Sequence, residues 1–363
     1  MPAVSDAQHV LLTGFPGFIG RRVVARLMDA SPDTRITALV EKRMAEQAAG
    51  LVERYGERAE VVVGDIGEPR LGLADSDWDR LTGTVDTVFH LAAIYDLAVP
   101  LELAQRVNVE GTGNVVEFCR ACSDLRRHVY VSTAYVAGDR RGTVYEHELV
   151  LGQGFKNHYE STKFQAEVWV RESMDTVPTT ILRPAIVVGD SQTGETEKFD
   201  GPYYLLRSIS QADGYGRPPA QFGAPDAPFN VVPVDYVVEG MVAAARDDEM
   251  VGETLHMVDP EPLSAHDLLI ALSREYAGRE PKGKIPPNAV GNALRFKAVR
   301  KLFSDTPRES IAYLNHPVTF DTRRARAMLA RHDLQPPHFA DYVKPMVDYF
   351  RAHEDDPAYA PKH

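Results

Sequence analysis

Near its amino end the chain reads Leu12-Thr13-Gly14-Phe15-Pro16-Gly17-Phe18-Ile19-Gly20. An apolar run, Val10–Leu12, comes directly before the three glycines, and apolar residues at helical spacing follow them. Because glycine has no Cβ, such a turn lets the backbone approach a pyrophosphate, and the next helix offers unpaired N–H groups to that anion. The stretch predicts a dinucleotide-binding strand, turn and helix. The alternative, a glycine-rich connecting turn, is disfavoured by the flanking strand and helix patterns.

The rest of the chain repeats this alternation of strand-like and helix-like segments. Apolar, β-branched runs are separated in most places by amphipathic patterns, which is typical of a parallel sheet covered on both faces. We therefore predict an α/β fold with a Rossmann-like, doubly wound parallel sheet of about seven strands, whose carboxyl ends form a ligand crevice. The runs are Val10–Leu12, Ile36–Val40, Val61–Val63, Val85–Leu91, His128–Ser132, Thr179–Leu182 and Thr254–Val258.

The composition changes after residue 186. Residues 187–253 contain stretches rich in Gly, Pro, Asp and Gln, which predict pocket loops and a return segment. Residues 259–352 predict a smaller, mostly helical substrate-binding region, and residues 353–363 a flexible tail. The Rossmann domain would comprise residues 1–186 and also receive the strand near 254–258. The expected helices of the small region are Ser264–Tyr276, Asn288–Phe303, Asp321–Ala330 and Phe339–Phe350, with Ser264 and Asp321 as N-caps.

Charge and composition exclude several classes of protein. The 363 residues carry a formal net charge of −12, which disfavours broad electrostatic capture of nucleic acid or an anionic membrane. No apolar run is long enough to span a bilayer and no signal-peptide pattern is present, so we expect a cytoplasmic location. Cys119 and Cys122 have C-x-x-C spacing in a predicted helix, without a second pair. We interpret them as ordinary thiols and predict no metal site.

A phenol and an ammonium stand four residues apart in Tyr159-Glu160-Ser161-Thr162-Lys163. On a helix this spacing places both side chains on one face, where the ammonium would lower the pKa of the Tyr159 phenol and make it a proton donor or acceptor. The strand ending in Ser132-Thr133 would deliver a hydroxyl to the same edge of the sheet. We predict that hydroxyl, phenol and ammonium converge; the alternative is a surface tyrosine packed on a lysine stem.

Further motifs occur in a fixed order along the chain. They are Thr13-Gly14-x-x-Gly17-x-x-Gly20, Gly64-Asp65, His90-Leu91-Ala92-Ala93, Asn108-Val109-x-Gly111-Thr112, Val131-Ser132-Thr133-Ala134, Tyr159-x-x-x-Lys163, Arg183-Pro184-Ala185 and Val232-Pro233-Val234-Asp235-Tyr236-Val237. Together these motifs resemble the short-chain dehydrogenase/reductase superfamily in its extended, epimerase-like branch. The resemblance covers the chain from about His9 to at least Val258.

The resemblance implies a role for each matched catalytic residue. Tyr159 would be the acid/base, and Lys163 would tune it and contact the nicotinamide ribose. Thr133, with Ser132 as its neighbour, would bind the reacting oxygen, and Asn108 would support the site through the adjacent helix. The alternative for Asn108 is a cap of the helix that follows it.

The resemblance also implies a nicotinamide cofactor. Asp65 would contact its adenine, unless this residue only ends a strand, and Ala92 and Ala93 would let the cofactor pass. At the tip of the second strand, Glu41 would repel a 2′-phosphate, whereas Lys42 and Arg43 would attract one. We prefer NADP(H) and leave NAD(H) open. The full set of expected cofactor contacts is Gly14, Phe15, Gly17, Phe18, Ile19, Gly20, Glu41, Lys42, Arg43, Asp65, Ile66, Leu91, Ala92, Ala93, Lys163 and Pro184.

Two later stretches resemble the male-sterility branch, which includes fatty acyl-CoA reductases and carrier-bound thioester reductases. They are Asp200-Gly201-Pro202-Tyr203-Tyr204 and Phe229-Asn230-Val231-Val232-Pro233-Val234-Asp235. This resemblance implies an acyl thioester or the derived aldehyde as substrate. Its acyl pocket would be lined by four aromatic residues, for which core packing is the alternative. They are Tyr203, Tyr204, Phe222 and Phe229.

The sequence supports three hypotheses of function. The first is a reductase or dehydrogenase acting on a carbonyl, hydroxyl or acyl thioester of a hydrophobic substrate through a Thr-Tyr-Lys site. The second is a nucleotide-sugar epimerase or dehydratase with tightly bound NAD, and the third a non-catalytic dinucleotide sensor. The basic amphipathic segment Leu294–Phe303 would touch a membrane surface or the phosphates of coenzyme A, or form an ordinary solvated helix face. By analogy with the superfamily, a homodimer is also expected.

Overall fold

The computed structural model describes residues 8–95, 99–219, 221–222, 226–285, 313–314 and 316–359. The strands of these residues are β1 His9–Thr13, β2 Arg35–Val40, β3 Ala59–Val63, β4 Thr87–His90, β5 Arg127–Val131, β6 Gly142–Val144, β7 Thr179–Pro184, β8 Ile186–Val188, β9 Gln221–Phe222, β10 Val231–Pro233, β11 Thr254–Met257, β12 Lys284–Ile285 and β13 Val318–Phe320. Seven of them run parallel in the main sheet, in the order β11-β7-β5-β4-β1-β2-β3. This confirms the predicted doubly wound sheet.

Helices cover both faces of the sheet. Neighbouring residues of one strand point to opposite sides, so that Val10 and Leu12 belong to one core and Leu11 to the other. This two-sided burial explains the continuous apolar runs. The helices are α1 Phe18–Ala30, α2 Ala45–Val52, α3 Asp75–Thr82, α4 Leu101–Ala104, α5 Gly111–Ala121, α6 His158–Ser173, α7 Tyr203–Gly214, α8 Val234–Arg246, α9 Ala265–Ala277, α10 Arg323–Leu329 and α11 Phe339–His353.

Helices α9 and α11 fall where the sequence predicts them. The Ser264 side chain accepts a hydrogen bond from the backbone N–H of Asp267 at 3.1 Å, so Ser264 is the N-cap of α9 as predicted. The predicted helix Asn288–Phe303 and the basic segment Leu294–Phe303 lie outside the described residues.

The prediction for the start of α10 is wrong, because Asp321 is not its N-cap. Thr322 precedes the helix without a side-chain cap, and Asp321 instead pairs with Arg323. A residue far away in the sequence takes the role: the Glu146 carboxylate accepts the backbone N–H groups of Arg324 at 2.7 Å and Ala325 at 3.0 Å. These N–H groups have no partner inside the helix, so the distant carboxylate satisfies them.

The C-terminal region packs on the rest of the molecule through aromatic contacts and through a short parallel pair of strands, β6 with β13, which is separate from the main sheet. Phe350 of α11 packs on Phe199 with ring centroids 4.8 Å apart. Tyr359 also stacks on Phe199 at 4.8 Å, so this part of the predicted tail lies against the core. Cys119 and Cys122 are free thiols at the end of α5, and burial raises the pKa of Cys122 to about 12.

Candidate active site

The glycine turn connects β1 to α1 as predicted. Gly14 has a positive φ of 89°, and a Cβ on it would lie 2.9 Å from the Ala92 backbone nitrogen. A Cβ on Gly20 would lie 2.6 Å from the Gly14 oxygen, so the helix packs directly on the turn. Gly17 precedes α1 without a side-chain cap, which leaves the N–H groups of the first helical turn for a ligand. This cradle, which a side chain would fill, fits the pyrophosphate of a dinucleotide.

The other expected cofactor contacts lie in this turn, at the start of α1 and at the carboxyl ends of β3, β4 and β7. Phe15, Ile66 and Pro184 are buried, whereas Phe18, Ile19, Leu91, Ala92 and Ala93 are half-buried. The loop after β4 is therefore in contact with the glycine turn through Leu91 and Ala92. This is the arrangement in which a dinucleotide crosses the carboxyl edge of the sheet.

Asp65 follows β3, and its carboxylate is held on both oxygens. Oδ1 accepts the Gly67 N–H at 2.8 Å, and Oδ2 pairs with the Arg106 guanidinium at 2.5 Å. The sequence reasoning missed Arg106, which comes from the helical turn before Asn108. Asp65 does more than end a strand, because this ion pair ties β3 to the helix across the edge of the sheet.

At the tip of β2, Glu41, Lys42 and Arg43 are all exposed. The Arg43 guanidinium donates to both carboxylate oxygens of Glu41, at 2.7 and 3.1 Å. Glu41, expected to repel a 2′-phosphate, and Arg43, expected to attract one, are thus bound to each other. Lys42 stands between them in the sequence.

Tyr159 and Lys163 share one face of α6, which begins at the N-cap Asn157. The Lys163 Nζ donates to the Tyr130 hydroxyl at 2.9 Å and to the Val131 carbonyl at 2.8 Å. Burial lowers the pKa of Lys163 to about 7 and raises the pKa of Tyr159 to about 12. The predicted lowering of the Tyr159 pKa by Lys163 is therefore wrong, because burial raises this pKa and the influence that acts against burial comes from Thr133.

Thr133 and Ser132 point in different directions. The Thr133 side chain interacts with Tyr159 and acts against burial to lower the pKa of that phenol. The Thr133 hydroxyl itself donates to the Pro184 carbonyl at 3.4 Å. Ser132 instead donates to the Glu167 carboxylate at 2.6 Å, inside the protein. Thr133 and Tyr159 thus meet at the carboxyl edge of the sheet, whereas Ser132 does not join them.

Asn108 lies in a π-helical turn, Gln105–Glu110, between α4 and α5. Its amide exchanges two hydrogen bonds with the Ile94 backbone, at 2.8 and 3.1 Å, and its Nδ2 also donates to the Thr162 hydroxyl at 3.0 Å. The residue braces the loop after β4 against the helix that carries Tyr159. It does not cap the following helix, because the N-cap of α5 is Glu110.

A fully buried ion pair supports this part of the site. The Arg183 guanidinium lies 2.6 Å from the Glu167 carboxylate, and both side chains are completely buried. Burial by itself would raise the pKa of Glu167, but Arg183 outweighs it and the pKa lies below its ordinary value. The sequence reasoning missed Glu167. Its spacing of four from both Lys163 and Arg171 was the available signal, since these positions share a helix face.

Residues 189–202, the rim loop, connect β8 to α7. Lys198 donates to the Tyr95 hydroxyl at 2.5 Å, in the segment that follows Ala93. Glu195 pairs with Arg22 of α1 at 3.2 Å, and Glu197 lies 3.7 Å from Arg21. Charged contacts therefore join the rim loop to both the glycine-turn helix and the loop after β4.

The predicted aromatic acyl pocket is not formed as expected. Tyr203, Tyr204 and Phe229 are buried, and Tyr203 packs on Phe199 while its hydroxyl accepts the Gly189 N–H at 3.1 Å. The alternative, core packing, describes these three residues. The fourth, Phe222, lies in β9, and its side chain is outside the described residues.

The described residues contain neither a membrane-spanning helix nor a metal-binding cluster. No helix there has both the length and the apolar composition needed to cross a membrane. No group of three or more His, Cys, Asp or Glu side chains in the same part of the chain is arranged to hold a metal ion.

Comparison with known proteins gives a consistent result. The sequence model of a family described as "Male sterility protein" matches residues 12–241. The L-2-aminoadipate reductase large subunit of Penicillium chrysogenum is 29% identical over 70% of this chain, and the fatty acyl-CoA reductase wat of Drosophila melanogaster is 26% identical over 66%. The chain spans 19% of the length of the first relative and 54% of the second.

Solved structures show the same fold. The terminal R domain from the myxalamid PKS-NRPS biosynthetic pathway superposes with a TM-score of 0.81. It is 24% identical to this chain, and the match covers 99% of this chain and 94% of the R domain.

Proposed function

This chain belongs to the male sterility protein family, whose members are NAD(P)-binding, and we propose that it reduces an acyl thioester or aldehyde with NADPH. The observation that carries the proposal is that Tyr159 interacts with Thr133 just after β5, while Lys163 on the same helix donates to the Val131 carbonyl at the end of that strand. The relatives named as reductases support it. We also propose residues 259–352 as the substrate-binding region, and the homodimer stays a prediction.

The catalytic residues would supply placement and a proton. A nicotinamide cofactor held at the glycine turn, Gly14 to Gly20, would supply the hydride for the carbonyl carbon. Tyr159 keeps its proton at neutral pH, because burial raises its pKa to about 12, and its O–H can donate to the carbonyl oxygen as negative charge develops there. Thr133 lies beside this O–H and can donate a second hydrogen bond to the same oxygen. The negative charge is thus met by two hydroxyls held by rigid elements, β5 and α6.

Our preference for NADPH rests on the tip of β2. Arg43 is exposed, and in the described part of the chain its guanidinium forms an ion pair with the neighbouring Glu41. Lys42, between them in the sequence, is also exposed. A 2′-phosphate could attract Lys42 and compete with Glu41 for the Arg43 guanidinium, because a phosphate carries more negative charge than a carboxylate. NAD(H) would leave the Glu41–Arg43 pair intact.

The decisive experiment is a substrate panel with purified protein. NADPH and NADH oxidation is followed with acyl-CoAs, carrier-bound thioesters, long-chain aldehydes and nucleotide sugars. We expect oxidation of NADPH with a thioester or an aldehyde. Tightly bound NAD, with turnover of a nucleotide sugar and no added cofactor, would instead establish the epimerase hypothesis.

Tyr159→Phe tests the assigned proton donor. The change removes one hydroxyl and no contact of the glycine turn, so we expect turnover to be lost while NADPH affinity, measured by fluorescence titration, stays near that of the unchanged protein. Gly17→Val is the matched control: a Cβ at Gly17 would lie 2.9 Å from the Gly14 oxygen, and the bulkier side chain should weaken NADPH binding. Substantial activity in Tyr159→Phe would contradict the proposed role.

A further inference from the structure

Buried contacts connect Lys163 to the loop beside the glycine turn. Lys163 donates to the Tyr130 hydroxyl at 2.9 Å, and the Tyr130 ring stacks on His90 with ring centroids 5.6 Å apart. The Thr112 Oγ1 lies 3.0 Å from His90 Nε2, and His90 Nδ1 lies 2.8 Å from the Thr13 Oγ1. The five side chains come from five elements, α6, β5, α5, β4 and β1, and all are buried.

The partners of Thr112 and His90 fix the direction of their hydrogen bonds. The single proton of the Thr112 hydroxyl is donated to the Asn108 carbonyl at 2.7 Å, so Thr112 can only accept from His90. His90 therefore donates from Nε2. Burial lowers the pKa of His90 well below its usual range, so the ring is neutral and its Nδ1 must accept.

At the far end, Thr13 donates to His90 Nδ1, and the Thr13 Oγ1 accepts the backbone N–H of Ala92 at 3.2 Å. Ala92 belongs to the loop that touches Gly14. The stack of Tyr130 on His90 thus links the Lys163 side chain to the loop that is expected to pass beside the cofactor.

The buried ring of Tyr130 is held by its stacking on His90, and His90 is fixed by Thr112 and Thr13. The Tyr130 oxygen accepts from Lys163. An ammonium has three donors, and within the described residues Tyr130 and Val131 take two of them. The third N–H of Lys163 remains for a ligand, and its direction is set by the two fixed acceptors.

Packing alone does not require this hydroxyl. The Tyr130 ring is completely buried, stacks on His90 with centroids 5.6 Å apart and lies 4.4 Å from the Lys163 Nζ. Phenylalanine would keep these ring contacts, whereas a buried hydroxyl without partners would cost stability. The charged or titratable groups that face Lys163 are Glu167 on the same helix, Tyr130 on β5 and His90 on β4.

We propose that Tyr130 is a positioning residue: held by its stacking on the doubly hydrogen-bonded His90 ring, it holds the Lys163 ammonium so that its third N–H points to the bound nucleotide. The role rests on the proposed function for its effect on turnover, but not for its effect on cofactor binding. It predicts that the hydroxyl of Tyr130 helps to keep Lys163 charged, because its oxygen accepts from the ammonium.

Tyr130→Phe tests the proposal through the pH dependence of NADPH affinity, followed by nucleotide fluorescence from pH 6 to 10. Without its acceptor the ammonium is less stable, so the pH at which affinity falls should move down by about one unit or more. We expect kcat, where turnover is found, to fall about tenfold or more, with a smaller change in KM. Tyr342→Phe is the matched control, because it removes a buried hydroxyl that donates to the Val231 carbonyl, away from the site.

Thr112→Val is the second variant. It leaves Tyr130 in place but removes the hydroxyl that accepts from His90, the ring on which Tyr130 stacks, so the same downward shift should appear with a smaller size. An unchanged pH profile in folded Tyr130→Phe overturns the proposal, and so does an equal shift in Tyr342→Phe. A protein that binds NADPH but reduces nothing in the panel refutes the proposed function instead, while the affinity profile still decides the role of Tyr130.

Discussion

Thr133 and Ser132 are adjacent residues with the same functional group, yet the fold gives them different tasks. Thr133 meets Tyr159, whereas Ser132 donates to a carboxylate of the buried Glu167–Arg183 pair. The sequence presents both as candidates for binding the reacting oxygen, because the resemblance names the pair and not the directions of its side chains. Only the position of α6 across the end of β5 distinguishes them.

The pair Thr133→Val and Ser132→Ala checks this division of roles. Loss of the Thr133 hydroxyl should lower kcat by about a hundredfold, because one donor to the developing oxyanion disappears. Loss of the Ser132 hydroxyl should change kcat little but lower the free energy of unfolding by about 1–3 kcal/mol, because a bond to a charged group is lost. Steady-state kinetics and urea unfolding measure the two effects, and a reversed order would refute the roles.

The buried ammonium of Lys163 leads to a second prediction, on how the free energy of unfolding depends on pH. Burial lowers its pKa from 10.5 to about 7 in the folded protein. Between these values the unfolded chain binds the proton and the folded one does not, so the contribution of Lys163 to stability falls as the pH drops from 10.5 to 7.

Lys163→Met removes this dependence. The difference in unfolding free energy between the unchanged protein and the variant should rise with pH in that range, by at most about 1.4 kcal/mol per unit. Urea unfolding at several pH values measures it. A difference that stays flat from pH 7 to 10 would show that Lys163 keeps its ordinary pKa.

At the scale of elements, helix α10 shows how a distant residue can complete a local structure. Glu146 follows β6, and its carboxylate accepts two N–H groups of α10 and the His256 N–H of β11 at 3.0 Å. One side chain thus connects three elements. The sequence assigns the cap to Asp321, because a carboxylate directly before a helix is the usual local signal. A cap supplied across 179 positions leaves no such signal.

Glu146→Ala should therefore destabilise the protein by about 2 kcal/mol or more, because buried N–H groups lose their acceptor. Asp321→Ala, the residue that the local pattern favours, should cost about 0.5 kcal/mol or less, since its partner Arg323 is exposed. Thermal unfolding of the two variants compares them directly. Equal losses would mean that Asp321 contributes to the cap after all.

For the whole molecule, the sequence predicts the framework better than the contacts within it. Strands buried on both faces produce continuous apolar runs, and the glycine turn has a fixed spacing, so the sheet and the cofactor cradle are readable from local patterns. The binding of Lys163 to Tyr130, the Asn108 brace and the Arg106–Asp65 pair depend on how separate elements meet. The aromatic residues near 203 are apolar in either setting, so composition alone did not separate a pocket from the core.

We expect the rim loop to control the rate at which a bound nucleotide is released. Its contacts with Arg21 and Arg22 on one side and Tyr95 on the other join α1 to the loop after β4, the two segments beside which the nucleotide is expected to pass. Two of these three contacts are surface ion pairs. Mobile ions screen such pairs, so nucleotide escape should accelerate as sodium chloride rises from about 0.05 M to about 1 M. In a Glu195→Gln, Glu197→Gln double variant, stopped-flow release should already be fast at low salt and respond less to it. The rim loop would make ionic strength a regulator of how long the protein retains its nucleotide.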